Sequence, residues 1–170
     1  MSEQLISLRT AVPADIATLR RWDAQPHIEA ATGRDRGEPG AWDWESEIPQ
    51  NVPWREMLVA ECSGRPIGFV QIIDPAGDEG QYWGDCTPDL RAIDIWIGEP
   101  DFLGKGFGTE IMSAALERCF AVPAVSAVLI DPLVANIRAI RFFTKMGFQV
   151  LGRRMFGEDD CLVMRIGRAS

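Results

Sequence analysis

A chain of 170 residues is long enough for one domain that buries most of its apolar surface without disulfides or a structural metal. Its 46% hydrophobic and 25% charged content is that of an ordinary globular protein, and no stretch reaches the length of a membrane span. The net charge of −8 argues against a nucleic-acid partner, whose phosphates demand a basic face, and suits a cationic small molecule.

Leu5-Ile6-Ser7-Leu8-Arg9 alternates as a first strand, and Pro13-Ala14-Asp15 opens an amphipathic helix that runs to Trp22. From Asp23 to Pro53 the pattern is irregular, rich in Gly, Pro, Trp and acids, with a short helix around Trp42 to Glu47. Such a stretch reads as a binding loop. Trp42, Trp44 and Trp54 either plug the core beneath it or wall a substrate cleft. Glu56–Cys62 and Pro66–Ile73 are two apolar strands joined by Ser63-Gly64-Arg65, which predicts a hairpin. Asp74 to Pro88 is a second acidic loop, carrying Asp78, Glu79 and Asp85 with Tyr82 and Trp83 among them. Arg91 to Ile97 is an apolar strand interrupted by Asp94.

Leu103-Gly104-Lys105-Gly106-Phe107-Gly108-Thr109 follows, with glycines at alternate positions between a strand and a helix. That spacing lets the backbone turn tightly and point successive N–H groups into one concavity at a helix N-terminus, which suits phosphate oxygens. The alternative is a plain strand-to-helix turn. Ile111, Ala115, Cys119 and Phe120 recur at helical spacing until Pro123. Val125–Ile130 is a short strand stopped by Asp131-Pro132, and Asn136–Met146 is a helix closed by Gly147. Phe148–Leu151 and Cys161–Ile166 read as two last strands around the turn Gly157-Glu158-Asp159-Asp160. With no repeat or linker, residues 1–170 form a single domain.

Cys62, Cys86, Cys119 and Cys161 are scattered, with no CxxC, and His27 is the only histidine; no metal site and no disulfide are expected. A Ser–His–Asp or Cys–His hydrolase is equally disfavoured. Met1 to Gln4 lacks the features of a signal peptide, so a cytoplasmic location is expected.

Leu103 to Thr109 is similar to the pyrophosphate loop of the GNAT superfamily of acyl-CoA-dependent N-acetyltransferases, written [Q/R]-x-x-G-x-[G/A], with Leu103 in place of the usual first residue. Asn136 to Phe148 resembles that superfamily's N-x-x-A-x-x-x-Y-x-K-x-G-F segment. Within it, Thr87 to Asp94, Leu103 to Thr109, Ile130-Asp131-Pro132 and Asn136 to Arg141 resemble the aminoglycoside 6′-N-acetyltransferases of the Ib type. Pro26-His27-Ile28 extends the likeness, and siderophore-type hydroxamate acyltransferases share it too. The resemblance implies an α/β (α+β) fold with a mixed, mostly antiparallel sheet of about six to seven strands flanked by helices, splayed in the middle to admit acetyl-CoA. The function it implies is acetyl transfer to a primary amine, on the 6′-amino group of an aminoglycoside. The rivals are acylation of a hydroxylamine or amine in siderophore assembly and a CoA-binding module without catalysis. Monomer and homodimer are equally compatible.

Acetyl transfer needs the CoA held, the thioester polarised and protons moved. The N–H groups of Leu103, Gly104, Lys105, Gly106, Phe107, Gly108 and Thr109 are candidates for the pyrophosphate, and the backbone of Asp94, Ile95, Trp96 and Ile97 for the pantetheine. Asn136 and Arg141 are CoA contacts by resemblance. Asp94 is the candidate base, because a carboxylate in an apolar strand needs a partner or a purpose; the alternative is a salt bridge to Arg91 or Arg141. Asp131 either caps a turn or, at the end of its strand, receives a ligand group; by resemblance it binds an acceptor amino group. Glu79 is a further acidic contact by resemblance, and Asp35, Glu38, Asp43, Asp78 and Asp85 either add to a negative cleft or lie on a solvated face. Two departures stand out: Phe143 replaces the tyrosine expected to protonate the leaving thiolate, and Ala31-Thr32-Gly33 replaces a W-W-G run. A water or the amine proton could serve as that donor instead, and Tyr82, the only tyrosine, is either a substitute donor or an aromatic surface or cleft residue.

Overall fold

The computed structural model describes residues 5–32 and 42–169. Gly33, Asp35 and Glu38 lie outside the described residues. Seven strands form one sheet, β1 (Ile6–Thr10), β2 (Arg55–Cys62), β3 (Arg65–Ile73), β4 (Leu90–Ile97), β5 (Ala127–Ile130), β6 (Gln149–Phe156) and β7 (Asp159–Gly167). Their order is β1-β2-β3-β4-β5-β7-β6, and only the β4–β5 pair is parallel. The expected mixed, mostly antiparallel sheet is therefore present. Among the described residues, five α-helices flank it: α1 (Ile16–Asp23), α2 (Pro26–Thr32), α3 (Trp44–Glu47), α4 (Phe107–Phe120) and α5 (Ile137–Met146).

Strand alternation divides the apolar residues between two layers. Leu58, Ala60, Val70, Ile72 and Ile93 meet Ile111, Met112, Ala115 and Cys119 of α4 and Phe143 of α5 on one face. Met57, Val59 and Phe69 meet Leu19 and Trp22 of α1 and Trp44 of α3 on the other. A third cluster joins Trp83 of the 74–88 loop to Phe156, Cys161 and Val163, so that loop is pinned over β6 and β7. Trp44 is the core plug that one reading of the tryptophans expected.

Two expectations need correction. The stretch from Asp23 to Pro53 contains α2, which Pro26 starts at a position where its missing N–H costs nothing. Seven residues are too few to display an apolar stripe, and so its periodicity is invisible. The last two strands are also longer than the alternation suggested, with only Gly157 and Glu158 between them. Six residues of β6, the edge of the sheet, are exposed and only Phe156 is buried, so the strand shows no apolar alternation.

At the end of β4, Gly98 lies against fully buried Trp22, and a Cβ at that position would come 2.0 Å from the indole. Trp22 is held in turn by Glu99, whose Oε1 accepts its indole N–H at 3.1 Å, so the ring has little room to retreat. Gly98→Ala is expected to destabilise the fold by about 3 kcal/mol in urea unfolding. A loss under about 0.5 kcal/mol, within the range of neutral surface changes, would show that α1 yields freely.

Candidate functional site

β4 and β5 pair only from Leu90↔Ala127 to Ala92↔Leu129. Beyond that point the chain after β5 stays with β7: Leu162 N–H donates to Pro132 O, and Val134 N–H donates to Asp160 O, both at 2.8 Å. Residues 93–97 of β4 are therefore left without a strand partner on that side among the described residues. A cavity of about 560 Å³ runs through the opening, with Ala139 and Phe143 of α5 at one end and Trp42, Trp54 and Tyr82 at the other. Trp42 and Trp54 thus wall the cleft, the second of the two roles considered for the tryptophans.

Asp94 faces this cavity from β4. Its cross-strand neighbour is Gln71, whose Nε2 donates to Oδ2 at 2.7 Å. The salt bridge to Arg91 or Arg141 is not formed: Arg91 pairs with Asp74 at 3.6 Å, and Arg141 is exposed on α5. Burial pushes the Asp94 carboxyl up from its ordinary value, and the Gln71 hydrogen bond offsets only part of that. Gln71, itself 3% exposed, escaped sequence reading although a lone amide in Phe69-Val70-Gln71-Ile72-Ile73 is a signal of the same kind as Asp94.

Asp131 lines the cavity just past the end of β5, and Tyr82 donates its hydroxyl to Oδ2 at 2.6 Å. Burial first, then the nearby Asp94 charge, push Asp131 up to about 7, while the tyrosine hydrogen bond works the other way. Burial and the Asp131 carboxylate also raise Tyr82, which therefore stays a protonated donor. Its hydroxyl, considered for proton donation in place of the family's usual tyrosine at Phe143, is bonded to Asp131. That phenyl is 8% exposed and packs on Phe148.

Glu79 is exposed and does not line the cavity; its neighbour Asp78 does, with its carboxylate accepting the Gly80 and Tyr82 backbone N–H groups at 2.9 and 3.1 Å. Glu47 and Asp159 complete the acidic wall, and Arg55 is bound to Glu47 at 2.6 Å. Asp43 caps α3 by accepting the Ser46 N–H, so it serves the fold.

At the other end of the opening, Gly104 and Gly106 take φ of +69° and +86°, values that glycine adopts freely, and α4 begins at Phe107. A Cβ on Gly106 would meet nothing, so the turn is open outward, and the first N–H groups of α4 have no preceding turn to bond. Lys105 and Thr109 are exposed here; Leu103 is partly buried. Arg138 of α5, which sequence reading passed over in favour of Arg141, brings its guanidinium to within 3.8 Å of where a Gly104 Cβ would lie. A positive concavity with free N–H donors beside an unpaired strand edge fits a pyrophosphate and its pantetheine arm. Of that edge, Ile95 and Ile97 pack towards α4, while Trp96 joins Phe69 and Trp42. Asn136 lines the cavity and caps α5 through the Ala139 N–H. His27 bonds the Ile97 carbonyl at 2.8 Å, tying α2 to the end of β4. Among the described residues, no group of three or more His, Cys, Asp or Glu could hold a metal ion, and no helix is long and apolar enough to cross a membrane.

A family model described as an acetyltransferase (GNAT) domain matches residues 11–156. The chain is 32% identical over 155 residues to the aminoglycoside N(6′)-acetyltransferase type 1 of Klebsiella pneumoniae, spanning 89% of this chain and 77% of that one. It is similar to the crystal structure of aminoglycoside acetyltransferase AAC(6′)-Ib in complex with coenzyme A, with a TM-score of 0.81 at 28% identity, covering 96% and 95% of the two chains. Spermidine N-acetyltransferase from Vibrio cholerae, in complex with CoA and spermine, shares the fold at a TM-score of 0.73 and 20% identity over 97% and 96% of the chains.

The raised Asp131 carboxyl has a consequence for stability. Between its ordinary 3.8 and about 7, the folded chain holds a proton that the unfolded chain has lost, so this group's contribution declines as pH rises through that window. Asp131→Asn removes the effect. Urea midpoints are expected to coincide near pH 4 and to separate in favour of the variant up to about pH 7, with a constant gap above; parallel curves at all pH values would overturn this.

Proposed function

The chain belongs to the GNAT family of acetyl-CoA-dependent N-acetyltransferases, and on that premise we propose that it acetylates the 6′-amino group of an aminoglycoside. The observation that carries this reading is the cavity itself: Asp94, which has no cationic partner among the described residues, stands at the strand opening and faces a wall that also holds Asp78, Asp131 and Asp159. Such a wall selects an acceptor with several ammonium groups. The 32% identity to a protein named for 6′-acetyl transfer supports the choice among amines.

Acetyl-CoA supplies an activated acetyl thioester. Its pyrophosphate would be held by the backbone of residues 104–109, with Arg138 beside it, and its pantetheine by the backbone of residues 94–97; Asn136 and Arg141 remain candidates for the outer contacts. Asp94 first attracts the acceptor ammonium. The incoming charge favours the ionised carboxylate that burial disfavours, so the same group binds the cation and then takes its proton. Gln71, holding Oδ2, leaves Oδ1 for the amine. Once the C–N bond forms and the C–S bond breaks, the second amine proton goes to the thiolate. A thiol with a reference pKa of about 8.5 is a tolerable leaving group, so Phe143 slows this step without forbidding it.

Steady-state CoA release with kanamycin-type sugars, their 6′-hydroxy analogues, hydroxylamines and polyamines tests the reading. Turnover is expected on the 6′-amino sugars alone, with Asp94→Asn lowering kcat/KM about 10²- to 10³-fold. Turnover only on hydroxylamines would favour the siderophore alternative. Acetyl-CoA binding with no turnover, indifferent to Asp94→Asn, would favour a CoA-binding module.

A further inference from the structure

Tyr82 is nearly half exposed, at 47%, yet its position is set from several sides. Its backbone N–H donates to Asp78 Oδ2 at 3.1 Å, and its ring stacks on Phe156 with centroids 4.5 Å apart and planes at 7°. Trp83 beside it is 5% exposed, anchors the loop in the third apolar cluster, and has its carbonyl bonded by Arg154 Nη1 at 3.2 Å. The hydroxyl so held reaches Asp131 Oδ2 at 2.6 Å.

We propose that Tyr82 is a positioning residue that sets which amines the cavity accepts, fixing Asp131 to receive a second ammonium of the acceptor while the reacting amine sits at Asp94. The proposal rests on the amine-acetylating reading above. A carboxylate past the end of a strand can rotate; a donor clamped by ring stacking holds Oδ2 in one place on the cavity lining. The titratable groups facing Asp131 are Asp94 from β4, Asp159 from β7 and Tyr82 from the loop. Both aspartates disfavour its charge, and the tyrosine hydrogen bond favours it. Without that bond, Asp131 protonates more readily and loses its hold on a cation. An acceptor with one amine needs only Asp94 and gains nothing from Tyr82.

The experiment compares wild type, Tyr82→Phe, Asp131→Asn and the double variant. A ¹³C titration of the Asp131 carboxyl without acceptor is expected to move to higher pH in Tyr82→Phe, and an unmoved midpoint overturns the proposal. With a 6′-amino aminoglycoside, Tyr82→Phe is expected to raise KM about tenfold, with kcat within about twofold, as for one lost charge-assisted hydrogen bond. With a singly charged 6-amino-6-deoxyhexose, KM is expected to stay unchanged. Tyr82→Phe adds nothing in the Asp131→Asn background if it acts through that carboxylate. Equal KM changes for both sugars, or additive effects, overturn the proposal. If wild type acetylates no amine, the functional reading falls, while the titration and calorimetric binding of the same two sugars still decide the role of Tyr82.

Discussion

The divergence of β4 from β5 after Ala92 is the constraint on which the site depends. β5 is only four residues long, and Pro132 has no N–H to continue a ladder. The chain beyond it bonds to β7 through Pro132 and Val134, and Leu133 bridges Cys161, so it is drawn away from β4. One sheet thereby acquires a slot through its middle without losing the pairing at either side. Polar backbone at that slot would be costly if sealed, and so its location also says where a ligand with hydrogen-bonding groups belongs.

The slot gathers carboxylates that would repel one another in any empty, dry pocket. Asp94 and Asp131 are each raised by burial, and Asp131 further by Asp94. The arrangement costs folded-state stability, and under the proposed function a cation entering the cavity supplies the countercharge that these groups lack. Neutral hydrogen bonds from Gln71 and Tyr82 orient the two carboxylates without neutralising them. Arginine in either place would have satisfied the acid and closed the site.

Much of this was legible in the chain. Asp94 and Asp131 declared themselves as a carboxylate inside an apolar strand and an Asp-Pro stop, and alternate glycines before a helical pattern marked the turn into α4. Legibility failed where the signal is non-local. Gln71 gains its meaning only from its register opposite Asp94, and Arg138 only from the packing of α5 beside Gly104. Glu79 and Asp78 are neighbours with opposite exposures, which an acidic loop without periodicity cannot reveal. For α2 and β6 the cause is simpler: a helix of two turns and an exposed edge each bury a single residue, Ile28 and Phe156, and one buried residue makes no periodic pattern.

Phe143 bears on how the proposed reaction distributes its protons. The phenyl packs on Phe142 and Phe148 and is part of the core beneath the sheet, so it is held by packing and offers nothing to bond. Tyr82, the other aromatic considered for proton donation, is raised well above an ordinary phenol and faces a carboxylate. Proton delivery to a thiolate from such a group runs uphill. The acceptor amine enters as an ammonium and gives up two of its three protons, one to Asp94 and one that becomes acidic as the C–N bond forms. The second has no competing owner among the described side chains, so in the proposed reaction the amine acceptor itself can supply the proton that the leaving thiolate needs.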